Sequence, residues 1–174
     1  MNKSDFRKSC LIRLRKFSNF TKYKKDKIIN QKLLYLIKEQ KAKSVLLYIP
    51  MDIEVDIMPL INILRKQKIK VFVPYIKEEG FISVLYRLPL EEGKFGIKQP
   101  SYSNTNNKFD LAIVPVVGID GVYKRIGFGK GMYDRFFDKL LKKPVTIFVQ
   151  RELCKCDKIL SDKYDIRADM VVSF

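Results

Sequence analysis

The sequence predicts an α/β fold, one domain spanning residues 1–174 with a mostly parallel sheet flanked by helices on both faces. Three observations point there. Stretches of helical period alternate with short apolar runs rich in Val and Ile. The runs are apolar at nearly every position, as strands covered on both sides require. A glycine-rich turn joins the most apolar run to a helix-like segment, a connection at home in such sheets.

Taken in order, residues 2–17 place Phe6, Cys10, Leu11, Leu14 and Phe17 at helical spacing, with Asn2 or Ser4 as N-cap. A second helix is expected from Lys22 to Lys41. "SVLLYI", Ser44 to Ile49, is the first strand. Ile57 to Gln67 follows as a helix, with Pro59 in its first turn and Asp56 before it as a candidate cap. "VFVPY" and the more alternating "ISVLYRL" are strands, and "DLAIVPVVGI", Asp110 to Ile119, is the most apolar of all. After the glycine turn, Met132, Phe136, Phe137, Leu140 and Leu141 recur at helical spacing until Pro144. "VTIFVQ" and the closing "DMVVSF" complete the strand set.

Composition narrows the function classes. A chain that is 47% hydrophobic and 31% charged reads as globular, and no run approaches the roughly 20 apolar residues of a membrane span. The first residues lack the apolar stretch and cleavage site of a signal peptide, so a cytoplasmic protein is expected, and a monomer. Three cysteines, with one C-x-C pair and no second pair, do not make a zinc tetrahedron and are expected to be reduced thiols. With no histidine, chemistry falls to carboxylates, Lys, Arg, Tyr and backbone.

The net charge of +16 admits nucleic-acid binding as a rival reading. The lysines, however, are spread along the chain, and no RNA-binding signature or zinc-finger spacing is present. A solvated basic surface is the simpler account, and neither nucleic acid nor membrane is an expected partner.

"RIGFGKGMYD", Arg125 to Asp134, holds three of the eight glycines of the chain. It lacks the Ser or Thr of a Walker A loop and has Met132 where a dinucleotide fingerprint needs its last glycine. Backbone amides, a helix start and two flanking cations, Arg125 and Lys130, nevertheless suit an anion. Asp134 reads both as a carboxylate favoured by the helix dipole and as a magnesium ligand beside bound phosphates, two compatible roles.

The long segment "FDLAIVPVVGIDGVYKRIGFGKGMYDRFF" resembles the signature of the 5-formyltetrahydrofolate cyclo-ligase family, whose pattern runs D-L-x-x-x-P, then D-x-x-G-x-R, then G-x-G-x-G and a closing Y-D-R. Other landmarks recur in order: the basic "KSDFR", "MDIEVDIMPLI", "VFVP", "GKFGIKQP" and "YDIRAD". The sequence departs from the family pattern at Met132, where an aromatic is usual, at Tyr123 (glycine), at Tyr164 (histidine) and at Gln99 (glutamate).

The resemblance implies an ATP- and Mg2+-dependent ring closure. The formyl oxygen of 5-formyltetrahydrofolate accepts the γ-phosphoryl group, N10 attacks the activated carbon and phosphate leaves, giving 5,10-methenyltetrahydrofolate and ADP. Such chemistry needs positioning and charge neutralisation more than a histidine base.

Position by position, the resemblance implies ATP contacts at Lys3, Ser4, Asp5, Phe6 and Arg7, and along the loop at Arg125, Ile126, Gly127, Phe128, Gly129, Lys130, Gly131, Met132 and Tyr133. It implies folate contacts at Arg7, Met51, Glu54 and Asp56, joined by Phe128, Gly129, Lys130, Gly131 and Met132. Lys130, Arg125 and Tyr133 take the catalytic roles, Asp134 and Asp165 hold magnesium, and Gln150 lies near the nucleotide. Anionic ATP and polyglutamylated folate are the partners that the positive charge attracts. Another ATP-using enzyme on a similar scaffold, or a basic nucleic-acid-binding protein, are the alternatives.

Overall fold

The computed structural model describes residues 2–17, 21–103 and 108–174. Helices α1 (Lys3–Phe17) and α2 (Lys22–Glu39) lead into strand β1 (Ser44–Leu46), helix α3 (Met58–Lys66) and the strands β2 (Lys70–Lys77) and β3 (Gly80–Leu85). A small hairpin of β4 (Leu90–Glu92) and β5 (Lys98–Pro100) encloses a 3-10 turn at Lys94–Gly96. Then come β6 (Leu111–Pro115), the short β7 (Gly118–Ile119) and β8 (Arg125–Ile126), helix α4 (Met132–Asp138), β9 (Val145–Val149) and β10 (Met170–Val172).

The main sheet has the order β10-β9-β6-β1-β2-β3. Its first five strands are parallel, in registers such as Val45 opposite Val71 and Ile113 opposite Ile147, and β3 is an antiparallel edge. Side-chain alternation then explains the unbroken apolar runs. Val45, Val71, Leu111, Ile113 and Ile147 pack on one face against Ile29, Leu33 and Ile37 of α2 and Leu60, Ile61 and Leu64 of α3. Leu46, Phe72, Ala112, Val114 and Phe148 pack on the other against Phe136 and Phe137 of α4. Helices on both faces of a mostly parallel sheet are what continuous apolarity predicts.

Helix α1 stands outside this sandwich. Its Phe6, Cys10 and Leu14 close over Val117, Ile126, Cys154 and Cys156. Asn2 caps it, its Oδ1 accepting the Asp5 N–H at 2.9 Å.

Four sequence expectations are corrected. Cys10 and Cys154, expected as thiols, form a disulfide with Cα atoms 5.8 Å apart across 144 residues, and Cys156 alone is free. Only tertiary packing of α1 against the segment after β9 brings the two within bridging reach. The apolar run at 110–119 is not one strand: β6 stops at Pro115 and the chain turns into β7, which pairs with β8 in a separate ribbon. The first strand ends at Leu46 and not Ile49, because its partner β2 accompanies it only to Phe72. Finally, α4 ends at Asp138, leaving Leu141 fully exposed and outside the core.

Candidate active site

Strand β1 lies at the centre of the sheet, with β2 on one side and β6 on the other. The chain reverses direction of travel across the sheet there, which opens a crevice beyond the carboxyl ends of the strands. A cavity of about 250 Å³ occupies that place. Tyr48 and Ile49 follow β1 into it, Pro74 and Ile76 come from β2, and Pro115 ends β6. Phe81 of β3 and Phe95 and Ile97 of the small hairpin add apolar wall.

The glycine turn forms the remaining side, through Arg125, Phe128, Lys130, Gly131, Met132 and Tyr133. Its backbone follows from local sequence. Gly129 has φ +101, a left-handed conformation that side chains disfavour. At Gly127 a Cβ would stand 2.3 Å from Nη1 of Arg125, so a glycine leaves room for that guanidinium to fold back beneath the loop. Arg125 is buried, its Nε donates to the Pro115 carbonyl at 3.2 Å and its guanidinium lies 4.8 Å from the Tyr133 ring centre. It therefore tethers the loop to the end of β6.

Within this apolar enclosure stands one carboxylate. Glu54 accepts the Met51 N–H at 2.9 Å on Oε2. Burial pushes its carboxyl up to about 7, against the opposing effects of the Met51 amide and the Arg125 charge. Burial, reinforced by the charge of Glu54, raises the Tyr133 phenol. The Tyr48 phenol is raised the same way, and its hydroxyl donates to the Val55 carbonyl at 2.9 Å. The site thus offers a carboxyl that changes charge near neutrality between two phenols that stay protonated. At the mouth, Lys130 holds its ammonium 3.0 Å from the centre of the Phe95 ring.

The far side of the loop is polar. Arg7 of α1 donates from Nε to the Gly127 carbonyl at 2.7 Å and lies beside Gly129. Lys3, one turn earlier, pairs with Asp165 and with Asp162, the latter at 3.2 Å. Burial alone would lower the Lys3 ammonium, but its two carboxylate partners raise it on balance. Asp165 also accepts the Asp162 N–H at 2.6 Å. Asp134, in the first turn of α4, accepts the Ile166 N–H at 3.2 Å and faces Arg125 at 3.7 Å. The two expected magnesium carboxylates are therefore borne by segments in direct contact, each with a cationic partner. Among the described residues, no group of three or more Asp, Glu, Cys or His side chains forms a metal cage.

Of the expected contacts, Met51, Glu54, Arg125, Phe128, Lys130, Gly131, Met132 and Tyr133 line the cavity. Lys3, Arg7, Gly127 and Gly129 gather on the polar side, while Ser4 and Asp5 are exposed on α1. The side chains of Phe6 and Ile126 are buried in the small core beneath α1. Asp56 lies outside the cavity, in an adjoining cleft of about 600 Å³ that shares Ile49, Met51, Glu54 and Ile97 with it. Its Oδ1 accepts the Met58 N–H at 3.0 Å in a turn just before α3, whose N-cap position is Ile57 and not Asp56 as expected, because the helix starts one residue later. Gln150 is a bridge inside the fold, donating to the Val117 carbonyl at 2.5 Å and accepting the Cys154 N–H at 2.8 Å. Sequence reading missed Tyr48, Phe81 and Phe95: the first two are indistinguishable from core strand residues, and "KFG" carried a signal only in its turn-forming glycine.

A parallel α/β sheet whose crevice is closed by a glycine-rich turn, apolar inside and cationic at the rim, has the lining typical of a small-molecule site. Residues 1–173 match the model of the 5-formyltetrahydrofolate cyclo-ligase family, and the chain belongs to that family. It is 27% identical to the 5-formyltetrahydrofolate cyclo-ligase of Mycoplasma pneumoniae, over 99% of both chains. The solved 5,10-methenyltetrahydrofolate synthetase of the same organism superposes with a TM-score of 0.79 at 27% identity, covering 98% of each chain. That of Aquifex aeolicus does so with a TM-score of 0.78 at 29% identity, over 99% of this chain and 90% of the other.

Proposed function

We propose that this chain converts 5-formyltetrahydrofolate to 5,10-methenyltetrahydrofolate with ATP and Mg2+, releasing ADP and phosphate. The observation that carries the reading is the pairing, across one glycine turn, of an apolar cavity holding a single buried carboxyl with a cation-rimmed backbone loop. A pterin is flat and apolar on its faces and carries N–H donors on its edge. Glu54 accepts such donors, and Met132 and Tyr133 cover a ring face. The loop from Arg125 to Tyr133 holds the phosphates, with Lys3 and Arg7 completing the nucleotide site from α1.

Lys130 sits where both ligands meet and balances the charge of the phosphoryl group as it passes to the formyl oxygen. Arg125 fixes the loop and adds its charge to the same region. Tyr133 and the surrounding apolar wall exclude water while N10 closes the ring. Asp134 and Asp165 fit a magnesium ion that arrives with the nucleotide, since Mg2+ takes one or two carboxylates and completes its shell from phosphates and water. The ion would neutralise charge on the phosphate oxygens. The same reading makes the chain a single-domain, monomeric enzyme.

The test mixes purified protein with 5-formyltetrahydrofolate, Mg2+ and ATP and follows the near-UV absorbance of the methenyl product. An ATP-dependent rise is expected; none, in protein that melts cooperatively, would overturn the assignment.

A further inference from the structure

Beneath the cavity, and lining no part of it, lies a buried ion pair that the reaction itself does not use. Arg151, two residues beyond β9, is 2% exposed, and Asp26 of α2 is 5% exposed. Arg151 binds Asp26 in a fork, Nε to Oδ1 at 2.7 Å and Nη2 to Oδ2 at 2.9 Å. The guanidinium also donates to the carbonyls of Glu54 at 2.5 Å and Ile53 at 3.4 Å. Asp26 in turn accepts the Asp56 N–H at 3.1 Å on Oδ2. Asn30, one turn on along α2, donates to the carbonyls of Asp56 at 2.8 Å and Asp26 at 2.7 Å. The loop between β1 and α3 is thus held by its backbone at residues 53, 54 and 56, and the central residue is the one whose carboxyl enters the cavity.

A buried ion pair of this kind adds little to stability compared with an apolar pair of the same size, because desolvation offsets its attraction. What it adds here is direction: a planar fork reaches one carboxylate and two carbonyls at once, which the point charge of a lysine cannot. We propose that Arg151 and Asp26 are positioning residues that set the place of Glu54, and through it the affinity for the pterin end of the folate and not for the nucleotide. The inference rests on the proposed reaction only in its kinetic part; the clamp on residues 53–56 is testable without it.

Arg151→Lys and Asp26→Asn keep size while breaking the fork. Each is expected to raise KM for 5-formyltetrahydrofolate at least about ten-fold while KM for ATP moves less than two-fold. Either variant added to Glu54→Gln should change KM by less than two-fold, because its effect passes through a carboxylate already lost. By hydrogen exchange, amides of residues 53–56 should open at least about ten-fold faster in Arg151→Lys, and those of residues 125–131 less than two-fold. If the single variants fail to fold, the paired replacement Asp26→Leu with Arg151→Met restores a packed core, and the same rise in folate KM and in exchange is expected. Equal changes in both KM values, full additivity with Glu54→Gln, or unaltered exchange at 53–56 would overturn the proposal. A wild-type chain with no cyclo-ligase turnover would sink the proposed function, and the exchange result alone would then decide the clamp.

Discussion

The two sides of the glycine turn follow opposite rules. On the cavity side, Glu54 and Lys130 have no ion-pair partner among the described residues: Glu54 is enclosed by apolar walls, and Lys130 lies exposed at the rim over the Phe95 ring. On the α1 side, Lys3, Arg7, Asp134 and Asp165 are each tied to an opposite charge or to backbone. Groups left uncommitted in a low-dielectric enclosure keep their full electrostatic effect for a ligand. Groups already paired hold the loop in place and answer a ligand only by exchanging partners. One side of the turn thus leaves its charged groups without ion-pair partners among the described residues, while the other ties them to partners across the fold.

The largest break in this contrast should come from Lys130→Ala. Its side chain is exposed, so folding should be unaffected and the melting curve unchanged, while kcat falls by about 10² to 10³. Equal loss from an α1-side variant such as Lys3→Ala, measured in the same absorbance assay, would erase the distinction between the sides.

Next in size is Glu54→Gln, expected to raise KM for the folate by about ten- to a hundred-fold, as the loss of one charge-assisted hydrogen bond does. The same variant has a stability signature. The Glu54 carboxyl is raised from 4.5 to about 7 in the folded state, so between those values the folded chain binds the extra proton. Stability from this group is present below pH 4.5 and is lost as pH rises towards 7, by roughly 2–3 kcal/mol. Denaturant titrations at pH 5 and pH 7.5 should show the glutamine variant losing less stability than wild type over that interval; parallel losses would refute the buried carboxyl.

Reduction of Cys10–Cys154 tests the supporting side. The bridge anchors α1, so a reductant should cost about 2–4 kcal/mol of stability and raise KM for ATP a few-fold, with folate KM within two-fold. A reversed pattern, scored by kinetics with and without dithiothreitol, would detach α1 from the nucleotide side. The smallest effect belongs to Tyr123, a non-glycine residue at φ +60 where the family pattern has glycine. Tyr123→Gly relieves a left-handed strain of about 1 kcal/mol and gives up the contact between the ring and Lys155 at 4.6 Å. A net gain of about 0.5 kcal/mol in a thermal melt, with kcat unchanged, is expected.

Much of this was legible from one dimension because it rests on local rules. Continuous apolar runs announced a sheet covered twice. The Asn2 cap and the start of α3 followed from residue type and spacing, and Glu54 and the glycine turn followed from an ordered motif. The assembly of the site was not legible in the same way. Asp56 and Glu54 look alike in "EVD", yet one carboxylate enters the cavity and the other turns back to accept the Met58 N–H before α3, since the Arg151 and Asp26 clamp decides which way the loop faces. Tyr48 and Phe95 gave no sign of lining a ligand site, and the pairing of Cys10 with Cys154 was hidden by 144 intervening residues.

By itself the sequence determined the α/β class, the alternation of its elements and the place of the glycine-rich loop, because periodicity and glycine content act over a few residues. Tertiary structure alone decided which charges were paired and which stood apart. That choice depends on burial and on distances between segments far apart in the chain, and neither is encoded at any single position.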